Sequence, residues 1–149
     1  MNLEHSNRSL SWEVLPKIEI DTNPPAGAIV KSALVNRHTV FAVQHYNLPS
    51  LMAGKVHALL VRPFIKGRDW YDLLWYRSRR PPVEPNQILL KAALAQSGID
   101  SNEDWRKVLR KRITSLDFDK IVMDVASFLE HREDASLLTP ENLLGLLES

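Results

Sequence analysis

At Leu48 the hydrophobic period of this chain changes. Upstream, residues 28–35 and 39–46 alternate β-branched and polar positions around the break Asn36-Arg37-His38, the period of strands. Downstream, Leu51, Met52, Lys55, Val56, Leu59 and Leu60 recur three and four residues apart, the period of a helix. One element cannot satisfy both periods, so the chain must place its strands first and its helices after. That order predicts an α+β fold: a small N-terminal β region followed by a helical C-terminal half.

About three strands are expected. Lys17-Ile-Glu-Ile-Asp21 alternates and is stopped by Asn23-Pro24-Pro25, because prolines remove backbone donors and fix φ. The segments on either side of residues 36–38 then read as a hairpin. Pro49 suits the first turn of the helix that follows. Further helices are expected over 68–76, 85–97, 102–114 and 118–130, with a short last one capped by Thr139 and started by Pro140. The division reads as 1–47 for the β region and 48–149 for one helical unit. A three-stranded sheet is marginal unless it packs on helices or pairs with more strands.

Composition enters mainly through what it excludes. The 149 residues suit one domain with a real core. With no cysteine there are no disulfides, thiolate metal sites or cysteine nucleophiles. A net charge of +1 gives no bulk attraction to nucleic acid or membrane, and no apolar run approaches the roughly 20 residues of a membrane span. No membrane partner is expected, and the cytoplasm is the default location. The basic residues are uneven, however: Arg106, Lys107, Arg110, Lys111 and Arg112 crowd one predicted helix. They read as a solvated helix face or, alternatively, as an RNA-phosphate patch.

Three groups of residues can carry chemistry. Asp21 follows the first predicted strand at the Pro-Pro break, where an acid can bind a divalent cation or simply start an Asx turn with Thr22 and Asn23. Lys55 sits among apolar neighbours beside Gly54, with Arg62 two turns along the helix. The two cations can converge on phosphate, or Lys55 can extend to solvent and Arg62 join a surface ion pair. Asp69 and Asp72 can coordinate metal, hold Lys55 and Arg68 in place, or favour the start of their helix through its dipole. The histidines show no metal-ligand spacing, and Ser50 has no evident His or Asp partner. The block Trp70, Tyr71, Trp75 and Tyr76 has the helical spacing of core packing.

Three stretches together resemble the C-terminal part of the AbiEii/AbiGii toxin-type nucleotidyltransferase family. They are Lys17-Ile-Glu-Ile-Asp-Thr-Asn-Pro-Pro25, Leu48-Pro-Ser-Leu-Met-Ala-Gly-Lys-Val-His-Ala-Leu-Leu60 and Gly67-Arg-Asp-Trp-Tyr-Asp-Leu-Leu-Trp75. The resemblance implies transfer of a nucleotide to tRNA or protein, with Mg²⁺ and a nucleoside triphosphate, in toxin–antitoxin systems linked to phage defence. It implies that Asp21 is a catalytic, metal-binding acid. Lys55 and Asp72 are implied as catalytic, Lys55 and Arg68 as phosphate-binding, and Asp69 as supporting; Arg62 joins the phosphate-binding set through its spacing from Lys55.

The family's Gly-Gly-Ser/Thr turn and its Asp-x-Asp strand are not found in this sequence. The expectation is therefore a truncated member, inactive and without bound cofactor on its own, whose partner is an antitoxin or a missing N-terminal half. The alternative is a non-catalytic module that contacts an antitoxin or nucleic acid. The two readings separate on the sheet: a fragment leaves its edge and apolar face open, whereas a module covers them.

Overall fold

The computed structural model describes residues 18–148. Two strands, β1 (Val30–Asn36) and β2 (Val40–Tyr46), form an antiparallel hairpin in which Val30 faces Tyr46 and Asn36 faces Val40. Six α-helices follow: α1 (Leu48–Val61), α2 (Gly67–Ser78), α3 (Gln87–Gln96), α4 (Trp105–Ile113), α5 (Phe118–Ala126) and α6 (Pro140–Leu146). A 3₁₀ segment, Arg132–Leu137, lies between the last two. The α+β order is as the change of period requires.

Two strands stand where about three were expected. Residues 18–21 form no strand, and Ile18 and Ile20 are 83% and 82% exposed; Lys17 lies outside the described residues. Alternation specifies which face a strand would bury, but a strand also needs a neighbouring ladder, and the described residues offer this segment none.

Helix starts follow the side chains that satisfy the first free N–H groups. Asn47 accepts the Ser50 N–H at 3.0 Å and opens α1, and Thr139 accepts the Asn142 N–H at 3.2 Å and opens α6. Asn86 takes the N–H groups of Ile88 and Leu89, so α3 begins at Gln87 rather than Pro85. Asp104 caps α4, which begins at Trp105 rather than at residue 102. Helix α5 ends at Ala126, four residues earlier than expected.

The core runs through the helical body. Met52 and Val56 of α1 pack with Trp70 and Leu73 of α2, Leu109 and Ile113 of α4, and Ile121 and Val125 of α5. Arg77 is fully buried among them. It donates to the carbonyls of Leu146 and Val83 and pairs with Glu84, which binds α2 to α6 and to the proline-rich connection. A buried guanidinium is tolerable only with such partners.

The hairpin is different. Val30, Leu34, Val40 and Phe41 are all exposed, Leu34 to 73%. Its attachment to the helices is polar and centres on Ser50, which is buried. Ser50 Oγ accepts the Ile29 N–H at 3.0 Å and an Asn86 amide N–H at 3.2 Å, while Asn86 also donates to the Gly27 carbonyl at 2.8 Å. Gly27 has φ +98°, and a Cβ there would stand 2.6 Å from the Ile88 side chain, so no larger residue fits this junction.

Candidate functional site

Helices α1 and α2 bring together five of the six residues singled out in the sequence. The Lys55 ammonium lies 2.6 Å from Asp72 Oδ2 and 3.4 Å from Asp69 Oδ1. Arg62, two turns further along α1, pairs with the other oxygen of Asp69. Asp69 is buried, so one carboxylate clamps both cations of α1 to the first turn of α2. Arg68 stands beside them with its guanidinium 4.0 Å from the centre of the Phe128 ring, held by a cation–π contact.

A cavity of about 310 Å³ opens over this cluster, lined by Lys55, Lys66, Arg68, Asp69, Tyr71 and Asp72 with apolar residues around Phe128. Burial alone would lower the Lys55 pKa. The hydrogen bond to Asp72 and the charges of Asp72 and Asp69 outweigh burial, so the net shift is upward and the ammonium stays charged. Lys55, Lys66 and Arg68 outnumber the two carboxylates around the opening, which leaves the cavity cationic.

Asp21 lies elsewhere. Its Oδ1 accepts the Asn23 N–H at 2.9 Å, an Asx turn, and it lines a second cavity with Pro24, Pro25, Gly54 and His57. Among the described residues no group of three or more His, Asp or Glu side chains is arranged to hold a metal ion. Asp69 and Asp72 face cations instead. The described residues by themselves do not fit Mg²⁺.

Three contributors carried no sequence signal. Arg112 of α4 donates to the carbonyls of Leu59 and Leu60 at 2.7 and 3.3 Å and of Arg62 at 2.5 Å, closing the C-terminus of α1 beside the site. Asp124 of α5 accepts the Gly67 N–H at 2.7 Å. His57 Nε2 and Ser97 Oγ are 2.8 Å apart across 40 residues of sequence. The three arginines of α4 are engaged within the fold, Arg106 pairing with Glu84 and Arg110 donating to the Leu147 carbonyl, whereas Lys107 is exposed and Lys111 makes a surface pair with Glu103.

A hairpin is followed by two helices that clamp a lysine and an arginine onto one buried aspartate beside a cavity. Over residues 5–141 the chain matches the family described as nucleotidyl transferase AbiEii toxin, type IV TA system, and it belongs to that family. Membership in a toxin–antitoxin family implies an antitoxin as partner. No curated protein and no solved structure matches the chain. No helix among the described residues is long and apolar enough to cross a membrane.

Proposed function

We propose that this chain supplies the cationic half of a nucleotidyl-transfer site. Lys55, Arg62 and Arg68 hold the phosphates of a nucleoside triphosphate, and Asp72 and Asp69 keep Lys55 charged and aimed. The acceptor is a hydroxyl of tRNA or of a protein, within a phage-defence toxin–antitoxin system. The observation that carries this reading is the Lys55–Asp72 pair at 2.6 Å, backed by buried Asp69 and opening onto a cationic cavity. Lysine serves here as a point charge and arginine as a fork, the division of labour that suits polyphosphate.

The remaining acids must come from outside the described residues, so the described part is inactive alone. The uncovered hairpin supports that reading, because exposed alternating strands accept further strands. Calorimetry with inorganic tripolyphosphate, which carries no nucleoside, tests it. Binding that Lys55→Ala and Asp72→Ala both abolish is the expected result. Binding that Lys55→Ala leaves intact would sink it.

A second reading, a non-catalytic module docked on an antitoxin, draws on the same exposed hairpin. It draws nothing from the α4 arginines, all three of which are engaged within the fold.

A further inference from the structure

Gly54 is the anomaly that opens this inference. It occupies the interior of α1, where glycine costs about 1 kcal/mol relative to alanine. Packing does not require it: a Cβ built there meets nothing within 4 Å. What Gly54 preserves is the space above it. That space is a cavity of about 500 Å³ between residues 21–25, α1 and α3, within the usual range for small-molecule sites.

The cavity's walls are set in advance. The Ser50 hub fixes the chain before β1 to the starts of α1 and α3. Pro24, Pro25, Leu51, Leu89 and Ala93 give apolar surfaces on which a flat ring can lie. The polar residues are neutral or acidic: Asp21, Tyr46, Ser50, His57, Gln96 and Ser97, with no lysine or arginine among the lining residues. Gln96 is exposed and forms no side-chain hydrogen bond among the described residues, and the second oxygen of Asp21 is likewise unengaged. Desolvation lowers the His57 pKa and so favours the neutral ring; the arginine at position 62 acts in the same direction and the Ala93 carbonyl opposes it.

We infer that this cavity is a binding site, separate from the Lys55 cluster, for a neutral heteroaromatic ring carrying amino donors, of the size of a nucleoside. Apolar walls select a flat uncharged body. The acceptor-only carboxylate of Asp21 selects exocyclic N–H groups, the Gln96 amide can pair with a donor and an acceptor on the same ring edge, and the lack of a lining cation means that a phosphate on the ligand adds nothing.

The test titrates the full chain with adenosine, cytidine and uridine, and with adenosine monophosphate, by calorimetry and amide chemical shifts. Adenosine and cytidine should bind more tightly than uridine, the monophosphate should gain nothing over adenosine, and the shifts should centre on Leu51–His57 and Ala93–Ser97. Gly54→Leu should fill the space and weaken binding roughly tenfold or more. Gly54→Ala should keep most of it and remain folded, and Gln96→Leu should reduce binding without touching the core. Lys55→Ala should leave nucleoside affinity unchanged, which separates this site from the proposed phosphate cluster. Absence of binding at millimolar nucleoside, uridine binding as tightly as cytidine, or Gly54→Leu binding like the parent chain would overturn the inference. Nucleoside binding lost in Lys55→Ala would overturn the separation of the two sites.

Discussion

The carboxylate of Asp124 accepts the backbone N–H of Gly67 at 2.7 Å and so caps a helix that begins 57 residues earlier in the chain. Lys66, the residue at the cap position of α2, makes no side-chain capping bond, so the cap is supplied from α5. That contact fixes the turn bearing Arg68, Asp69 and Asp72. The approach is tight: a Cβ on Gly67 would stand 2.6 Å from the Ile121 carbonyl oxygen and 2.9 Å from Asp124 Oδ2.

Gly67→Ala should therefore destabilise the fold, by about 1–3 kcal/mol, the range for forced overpacking. Asp124→Ala should cost about 0.5–2 kcal/mol, as loss of a cap does. Urea denaturation of both variants checks the pair. Equal stability of Gly67→Ala and the parent chain would mean that α2 and α5 can separate freely.

Arg112 closes α1 through three carbonyls, reached by the two separate terminal nitrogens of its planar fork. Arg112→Ala should cost about 1.5–3 kcal/mol, the range for hydrogen bonds made by a charged group, and Arg112→Lys should restore only part of that. Thermal or urea unfolding gives the comparison. Full recovery with lysine would show that charge alone, not the fork, matters.

Lys55 titrates higher in the fold than in an unfolded chain, because Asp72 and Asp69 outweigh its desolvation. Its pair contribution is therefore present below the ordinary lysine pKa of 10.5 and is lost as pH rises through the higher folded value. Asp72→Asn should bring the Lys55 pKa down. NMR of the lysine side-chain carbons across alkaline pH measures this. An unchanged titration would place Asp72 outside the site's electrostatics.

His57 works in the opposite direction. Its folded pKa lies below 6.5, chiefly through burial, so the fold favours the neutral ring. Stability should fall as pH drops from about 6.5 toward the folded value, because the unfolded chain binds the proton more readily. His57→Gln should flatten that slope. Denaturation midpoints from pH 7.5 to 5 test it, and parallel curves for parent and variant would discard His57 as the source.

The hairpin leaves Leu34 and Val40 exposed on one face of a two-stranded sheet. Replacing both by lysine should raise the concentration at which the chain self-associates, with little effect on helical stability. Light scattering and helical circular dichroism read the two effects separately. Unchanged association would move the sticky surface elsewhere.

The change of period at Leu48 made the α+β order legible without any structure, since hydrophobic spacing is a local property of the chain. The same holds for Pro49 in the first turn of α1 and for the cap at Thr139, which act within a few residues. Lys55, Arg62, Asp69 and Asp72 were legible as a group because helical geometry puts them on facing turns of consecutive helices. Residues 18–21 failed as a strand because pairing depends on a neighbour that alternation does not supply. Asp21, implied by the resemblance to be a metal-binding acid, lines a different cavity from Lys55, since its direction is set by an Asx turn and two prolines.

What only the tertiary structure decided are the contacts between residues distant in sequence. Asp124 beneath Gly67, Arg112 on the end of α1, His57 against Ser97, and the cavity over Gly54 all depend on how helices cross. A run of five basic residues looks the same in sequence whether it faces water or reaches inward to carbonyls. Helix packing turned Arg106, Arg110 and Arg112 inward, because unsatisfied carbonyls at helix ends and the Glu84 carboxylate lay within their reach.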